Sequence, residues 1–190
     1  MIEIEKKMLL TKQEYECLLR CFGQAHRSIK QINYYFDTAD LAMNAQNITC
    51  RVRFKDGKYK GTMKRHIANS DQSIETDIKV RNGVIDNDFI DMGLKLQGML
   101  TTERHVILRD SNCEVILDQN DYLGYTDYEL EIEHLPNTEK NFNFTALSLL
   151  DILPYRILSL TPQDIILRCK ETQSKSQRFF ARRMKNDFNT

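Results

Sequence analysis

The chain has 190 residues, of which 41% are hydrophobic and 28% charged, a composition typical of a folded globular protein rather than a disordered one. Its 27 basic and 27 acidic residues balance, so the net charge gives no reason to expect nucleic acid or a membrane as a partner. Five scattered cysteines without a C-x-x-C pair, together with the absence of a long apolar run or a signal-peptide pattern, favour a cytoplasmic protein with reduced thiols.

The first predicted element is a strand in the opening stretch MIEIEKKML. Read with a period of two, Ile2, Ile4 and Met8 fall on one face of this strand. The opposite face is charged and consists of Glu3, Glu5 and Lys7. Such alternation is usual in antiparallel sheets, so the pattern alone leaves open whether the charged face meets solvent or an enclosed polar interior.

The next element is a helix over TKQEYECLLRCFG, where Thr11 and Glu14 form a capping box. Alternating residues then predict strands in INYYFDT, ITCRVRFKDGKYKGTMKRH, QSIETDIKV, LTTERHVILRD, CEVILDQ and TDYELEIEHL, with KDGK as a hairpin turn. Further helices are predicted at 86–98, 144–153 and 161–171. The order of elements predicts a single, mostly antiparallel α+β domain over residues 1–190.

The charged residues of these strands are sorted by sign. The basic same-face positions are Arg51 and Arg53, followed by Lys58, Lys60 and Lys64. The acidic ones are Glu75 and Asp77, then Glu114 and Asp118, then Glu129, Glu131 and Glu133. Successive same-face residues lie roughly 7 Å apart, which water tolerates. Enclosed in a closed sheet, each unpaired charge would cost several kcal/mol, so a buried version needs a metal ion or a counter-charge.

The two signs together indicate a polyphosphate site. Clustered carboxylates suit hard cations such as Mg²⁺ or Mn²⁺, and the planar fork of arginine matches phosphate oxygens. The sequence contains neither a glycine-rich phosphate loop nor a serine or cysteine nucleophile motif. Metal-assisted attack by water is therefore the simplest chemistry for such a site.

Several segments, in order along essentially the whole chain, resemble motifs of the CYTH superfamily, the triphosphate tunnel metalloenzymes. EIEKK fits the E-x-E-x-K signature, and the later matches are YYFDT, CRVR, GTMK, IETD, TTER, ILDQNDYLG, DYELEIE and SKSQRFF. Each motif alone is weak, but the ordered set is specific. The subgroup that the chain most resembles is the small Bacillus-type proteins labelled adenylate cyclase-like or thiamine triphosphatase-like.

The resemblance implies an eight-stranded antiparallel β-barrel that forms a tunnel, with helices packed outside and the charged face of the first strand turned inward. It also implies roles for residues of the tunnel wall. Divalent metal, Mg²⁺ or Mn²⁺, would be held by Glu3, Glu5, Asp118, Glu129 and Glu131. Phosphates would be bound by Arg51, Arg53, Lys64, Arg104, Lys175 and Arg178. Catalytic roles would fall to Lys7, Glu75 and Asp77.

Three functions remain open on the sequence. The favoured one is a metal-dependent hydrolase of inorganic triphosphate or of a triphosphate ester of thiamine or a nucleoside, because the charged walls suffice for it. The alternatives are a class IV-type adenylyl cyclase, which would need an adenine pocket, and a non-catalytic binder of polyphosphate or a phosphorylated metabolite. The expected partner is a small triphosphate or polyphosphate, without nucleic acid or membrane, and a homodimer is left open.

Overall fold

The computed structural model describes residues 2–22, 27–67, 72–80, 89, 91–109, 113–134 and 160–187. The strands within these residues are β1 (Ile2–Leu10), β2 (Arg27–Asp37), β3 (Ile48–Lys55), β4 (Lys58–His66), β5 (Gln72–Ile78), β6 (Lys95–Arg109), β7 (Cys113–Tyr122) and β8 (Tyr125–His134). The helices are α1 (Lys12–Cys21), α2 (Ala42–Ala45), α3 (Pro162–Glu171) and α4 (Lys175–Asp187). None of these described helices is both long and apolar enough to cross a bilayer.

The eight strands are antiparallel and close into a barrel in the order β1-β5-β4-β3-β2-β6-β7-β8. The strand that closes it is β1, which pairs with β8 over residues 5–10 and with β5 over residues 2–4. The predicted eight-stranded antiparallel barrel is therefore confirmed. Because β1 and β5 share only this short seam, the end of β5 beyond residue 74 has no β1 partner in the described register.

The outward faces of β1, β7 and β8 carry a hydrophobic core. Met8, Leu117 and Leu130 are buried there, and Leu18 of α1 and Ile165 of α3 pack against them. Side chains alternate across each strand, so placing the apolar set outside leaves the charged set inside the barrel. Helices α1 and α3 therefore cover the outside of the sheet.

Helix α4 packs into one end of the barrel. Its Phe179 ring lies 4.8 Å from the ring of Tyr35, centroid to centroid, and Tyr35 pairs with Arg51 on the inward face. Gly98 makes room for this helix, because a Cβ atom there would lie 2.9 Å from Phe179 Cζ. The remaining buried members of this aromatic cluster are Leu100, Tyr122 and Phe180.

The structure confirms the predicted helix start at Thr11 and the predicted hairpin turn. Thr11 and Glu14 form the predicted capping box, and Asp56 and Gly57 have φ values of 49° and 74°, as the tight turn between β3 and β4 requires. The predicted helix over 86–98 is wrong at residues 95–98, which begin β6 because they pair with β2. Residues 91–93 form a turn instead, residues 86–88 and 90 lie outside the described residues, and so does the helix predicted at 144–153.

Candidate active site

A cavity of about 420 Å³ lies inside the barrel. The sequence-predicted site residues that line it are Glu5, Lys7, Arg51, Arg53, Lys64, Glu75, Arg104, Glu131 and Lys175. The registers explain why they meet: Lys7 is opposite Glu131, and Lys64 is opposite Glu75, so each pair points to the same side of the sheet. The closed barrel turns that shared side inward.

Glu5 is the centre of a small group of charges on β1 and β4. Its Oε1 atom accepts hydrogen bonds from the ammonium groups of Lys7 and Lys64, the latter at 3.3 Å. Burial by itself would raise the pKa of Glu5, but the two lysines outweigh burial and hold the pKa well below its usual range. Glu5 is therefore a buried carboxylate that stays ionised.

The pKa values of two neighbouring glutamates on β8 are shifted in opposite directions. Burial raises the pKa of Glu131 to about 7, with Lys175 opposing the shift and Glu129 reinforcing it. Burial would raise the pKa of Glu129 too, but Lys175 and Arg178 outweigh it, and that pKa is lowered. The pKa values of the two glutamates therefore shift in opposite directions, although Lys175 contacts both carboxylates.

Three carboxylates in the cavity could hold a metal ion. Each of Glu5, Glu131 and Glu133 offers an oxygen, and these oxygens all lie within 4.8 Å of one another. A cation bound to oxygen at about 2.0–2.6 Å places its ligand oxygens no more than about 5 Å apart, so the donor set fits Mg²⁺, Mn²⁺ or a similar hard cation. Sequence reasoning did not include Glu133 among the metal ligands, although it lies on the same face of β8 as Glu131 and directly opposite Glu5 of β1.

The opposite wall of the cavity, on β3, is basic. Arg51 donates hydrogen bonds to Glu75 Oε1 and Thr62 Oγ1, both at 3.1 Å. Arg53 donates from Nε to Asn33 Oδ1 at 3.0 Å. Burial, together with the charges of Arg51 and Arg104, lowers the pKa of Arg53 to about 10. This wall therefore holds several positive groups close together.

Sequence reasoning missed further cavity residues. The basic ones are Arg27, Lys55 and Arg109, and Tyr35, Ser174 and Ser176 also line the wall. Lys55 could have been found, because it continues the period of two that joins Arg51 and Arg53. No local signal identifies Ser174 and Ser176, since they lie at the start of α4 and reach the cavity only through its packing.

Arg104 and Lys175 hold the acidic wall together from within. Arg104 bonds to Asp118 at 2.7 Å, Glu131 at 2.5 Å and Glu133 at 3.1 Å. Lys175, at the first turn of α4, bonds to Asp118 at 2.9 Å, Glu129 at 2.8 Å and Glu131 at 2.5 Å. Burial would lower the pKa of both cations, but these carboxylates raise each pKa well above its ordinary value.

Asp118 and Glu129 do not line the cavity in this structure. Both are fully buried; Asp118 is paired with Arg104 and Lys175, and Glu129 is paired with Lys175 and Arg178. They lie behind the open surface because they pair in register across β7 and β8, beneath the start of α4. Their predicted place among the metal ligands is therefore not reproduced by the geometry.

Arg178, Asp77 and Glu3 also differ from the predicted site. Arg178 lies outside the cavity lining and bonds to Asp127 and Glu129, each at 2.8 Å, which ties α4 to β8. The side chain of Asp77 is 70% exposed and pairs with Lys60 at 2.9 Å, because β5 has no β1 partner at that level. The backbone of Glu3 lies in β1, and its side chain falls outside the described part of the chain.

Comparison with known proteins gives a consistent family. Residues 1–156 match the CYTH domain family, which confirms the resemblance seen in the sequence motifs. The chain is 28% identical, over an alignment of 200 positions that covers 97% of each protein, to "Putative triphosphatase YjbK" of Bacillus subtilis (strain 168).

Solved structures share the fold. One, described as a "putative adenylate cyclase (bh2851)" from Bacillus halodurans, superposes with a TM-score of 0.66 at 24% identity and covers 94% of this chain and 97% of its own. Another, described as "Putative adenylyl cyclase HpAC1 from Hippeastrum reveals a dominant triphophatase activity", has a TM-score of 0.57 at 21% identity, with 82% of this chain and 87% of its own covered. At these identities the likeness establishes the barrel and leaves the reaction to be argued from the site.

Proposed function

The chain belongs to the CYTH domain family, and from that premise we propose that it is a divalent-metal-dependent triphosphatase. The observation that supports this most directly is the cavity itself, in which a carboxylate trio faces a wall of arginines. A highly anionic chain of phosphates fits between these walls, with its oxygens against arginine and its remaining charge balanced by the cation. The Bacillus subtilis relative, which is described as a putative triphosphatase, points to the same reaction.

The proposed metal ligands are Glu5, Glu131 and Glu133. A divalent cation held by them supplies Lewis-acid polarisation of the phosphate oxygens and favours attack by water. We propose Mg²⁺ or Mn²⁺, since all three donors are carboxylates. Glu3 stays a predicted ligand. Asp118 is proposed to hold Arg104 and Lys175 in place instead, and Glu129 to hold Lys175 and Arg178.

The proposed roles of the remaining residues follow from where they lie. Arg51 and Arg53 on β3 hold the phosphates, because a guanidinium presents two parallel donors to phosphate oxygens. Lys7 contacts Glu5 and lines the cavity, where it can contact a phosphate or orient water. Glu75 orients Arg51, and its carboxylate is the further candidate for holding water.

We also propose that the single domain extends beyond the family match. That match ends at residue 156, whereas Lys175 and Ser176 line the cavity and Phe179 fills the barrel end. Truncation before α4 is accordingly expected to open the site rather than to leave a complete enzyme.

The described cysteines are free thiols, which supports the proposed cytoplasmic location.

The proposed function is tested by offering the purified protein tripolyphosphate, thiamine triphosphate and ATP with Mg²⁺ or Mn²⁺. We expect metal-dependent release of phosphate, with tripolyphosphate as a substrate. Cyclic AMP from ATP would instead favour the cyclase, and tight binding without turnover would favour a binding protein.

A matched variant links that activity to the acidic wall. Glu5→Gln keeps the shape of the side chain and removes its charge, so we expect at least a hundredfold loss of kcat, with a circular dichroism spectrum like that of the wild type. Asp77→Asn serves as the control, because the Asp77 side chain is exposed and lies outside the cavity lining. Full turnover in Glu5→Gln would contradict the metal assignment.

A further inference from the structure

The basic groups of the cavity differ in how far their charge is already neutralised. Lys7 and Lys64 share Glu5, and Arg51 is paired with Glu75. Arg104 and Lys175 each contact three carboxylates. Within the described chain, Arg53 forms no ion pair, although its guanidinium is largely enclosed and lines the cavity.

Arg53 is held by a neutral group instead. Asn33 lies directly opposite it in the register of β2 and β3, and Asn33 Oδ1 accepts the hydrogen bond from Arg53 Nε. Asn33 has no exposed surface. Its amide oxygen fixes the guanidinium at one nitrogen, and neither Nη group of Arg53 has a hydrogen-bond partner among the described residues.

This arrangement is costly for folding and useful for binding. A buried charge without a counter-charge destabilises the folded state, and an aspartate of almost the same shape at position 33 would supply one. The lowered pKa of Arg53 reflects its burial and the neighbouring charges of Arg51 and Arg104, with Glu133 opposing the shift. An anionic ligand would relieve the same cost, because phosphate oxygens accept two hydrogen bonds from one guanidinium.

We propose that Asn33 is a positioning residue that holds Arg53 in place without neutralising it, so that Arg53 becomes the docking point for a phosphate group of the ligand. This inference rests on the proposed function in one respect, namely that the cavity receives a polyphosphate. Asn33 itself acts through Arg53. The amide at position 33 thereby leaves the folded state less stable and the affinity for the phosphate ligand higher. An aspartate at that position would raise the stability and lower the affinity.

A second uncharged amide side chain, that of Gln31, lies on the inner face of β2 and provides a control. Gln31, two residues before Asn33, is buried, and neither its amide oxygen nor its amide nitrogen has a partner among the described residues. It lies opposite Lys55 rather than Arg53. Gln31 therefore matches Asn33 in strand, face, burial and chemistry, and differs in forming no hydrogen bond with Arg53 among the described residues.

The experiment measures the affinity for tripolyphosphate by isothermal titration calorimetry. EDTA is present to remove divalent metal, so that only binding by the basic side chains is measured. The variants are Asn33→Asp, Asn33→Ala and, as the control, Gln31→Ala. We expect Asn33→Asp to weaken binding at least tenfold and also to raise Tm, since the aspartate neutralises the partly buried guanidinium. A merely structural role for Asn33 would lower Tm and affinity together. Gln31→Ala is expected to change the affinity less than twofold.

A double-mutant comparison shows whether Asn33 acts through Arg53. In the wild-type background, Asn33→Ala should weaken tripolyphosphate binding about three- to tenfold because the guanidinium loses its orientation. In an Arg53→Met background the same substitution should have no further effect. Equal losses in both backgrounds, or an unchanged affinity in Asn33→Asp, would overturn the proposal.

The outcomes also separate this inference from the proposed function. A wild-type protein that binds tripolyphosphate and does not hydrolyse it with Mg²⁺ or Mn²⁺ contradicts the triphosphatase, while the ratio of affinities still decides the role of Asn33. A wild-type protein that does not bind tripolyphosphate in EDTA overturns the docking role of Arg53.

Discussion

The two walls of the cavity use the same residue types for different purposes. On the acidic wall, Arg104 and Lys175 each form ion pairs with three carboxylates, and these ion pairs hold the barrel strands and α4 together. On the basic wall, Arg51 has one carboxylate partner and Arg53 is held by an amide. A charged residue in a tunnel is therefore structural or ligand-binding according to how completely the fold has already paired it.

The largest effect that this comparison predicts is on stability. Asp118→Asn removes a carboxylate shared by Arg104 and Lys175, which leaves two buried cations with weaker partners. We expect the free energy of unfolding to fall by about 3–5 kcal/mol, measured by urea denaturation. The exposed Asp77→Asn should change it by less than about 0.5 kcal/mol. Similar values for the two variants would show that the acidic wall is not structural.

A smaller effect is expected on binding, and it separates paired from unpaired cations. Arg53→Ala removes an uncompensated charge and should weaken tripolyphosphate binding in EDTA by about tenfold, or about 1.4 kcal/mol. The double variant Arg51→Ala with Glu75→Ala removes a cation together with its counter-charge, leaves the net charge of the wall unchanged, and should weaken binding less than Arg53→Ala does. A greater loss in the double variant would contradict the distinction.

The smallest effect is expected outside the barrel, where an ion pair joins two helices. Glu14 of α1 accepts hydrogen bonds from Arg168 of α3 at 2.9 and 3.0 Å. Burial would raise the pKa of Glu14, but the bonds from Arg168 and Thr11 lower it below 4.5. Because the pKa is lower in the folded state, the stabilisation is present above pH 4.5 and is lost as the pH falls through the folded-state pKa.

Glu14→Gln should accordingly cost about 0.5–1 kcal/mol at pH 7, the range for partly exposed pairs, and close to nothing at pH 2.5. Denaturation curves of the wild type and the variant at both pH values measure the difference. A cost that is the same at both pH values would show that hydrogen bonding, rather than charge, accounts for it.

Glu5 shows what the sequence of one strand leaves undetermined. On the sequence it is one member of a charged face, and the pattern does not say which side chains its carboxylate contacts. The structure places Lys7 and Lys64 on its carboxylate, so removing that charge takes a carboxylate contact away from each of two cations. The partners of a buried charge come from other strands, and a single strand cannot reveal them.

The sequence by itself determined the strands, the capped helices and the sorting of charge onto one face, because these depend on alternation and on residues three apart. Only the tertiary structure decided which charges are free. Closure of β1 onto β5 and β8 placed Glu5 beside Glu131 and Glu133, and the short seam left Asp77 in solvent. Packing of α4 into the barrel end then delivered Lys175 to the acidic wall, a contact across more than forty residues of sequence that no local pattern encodes.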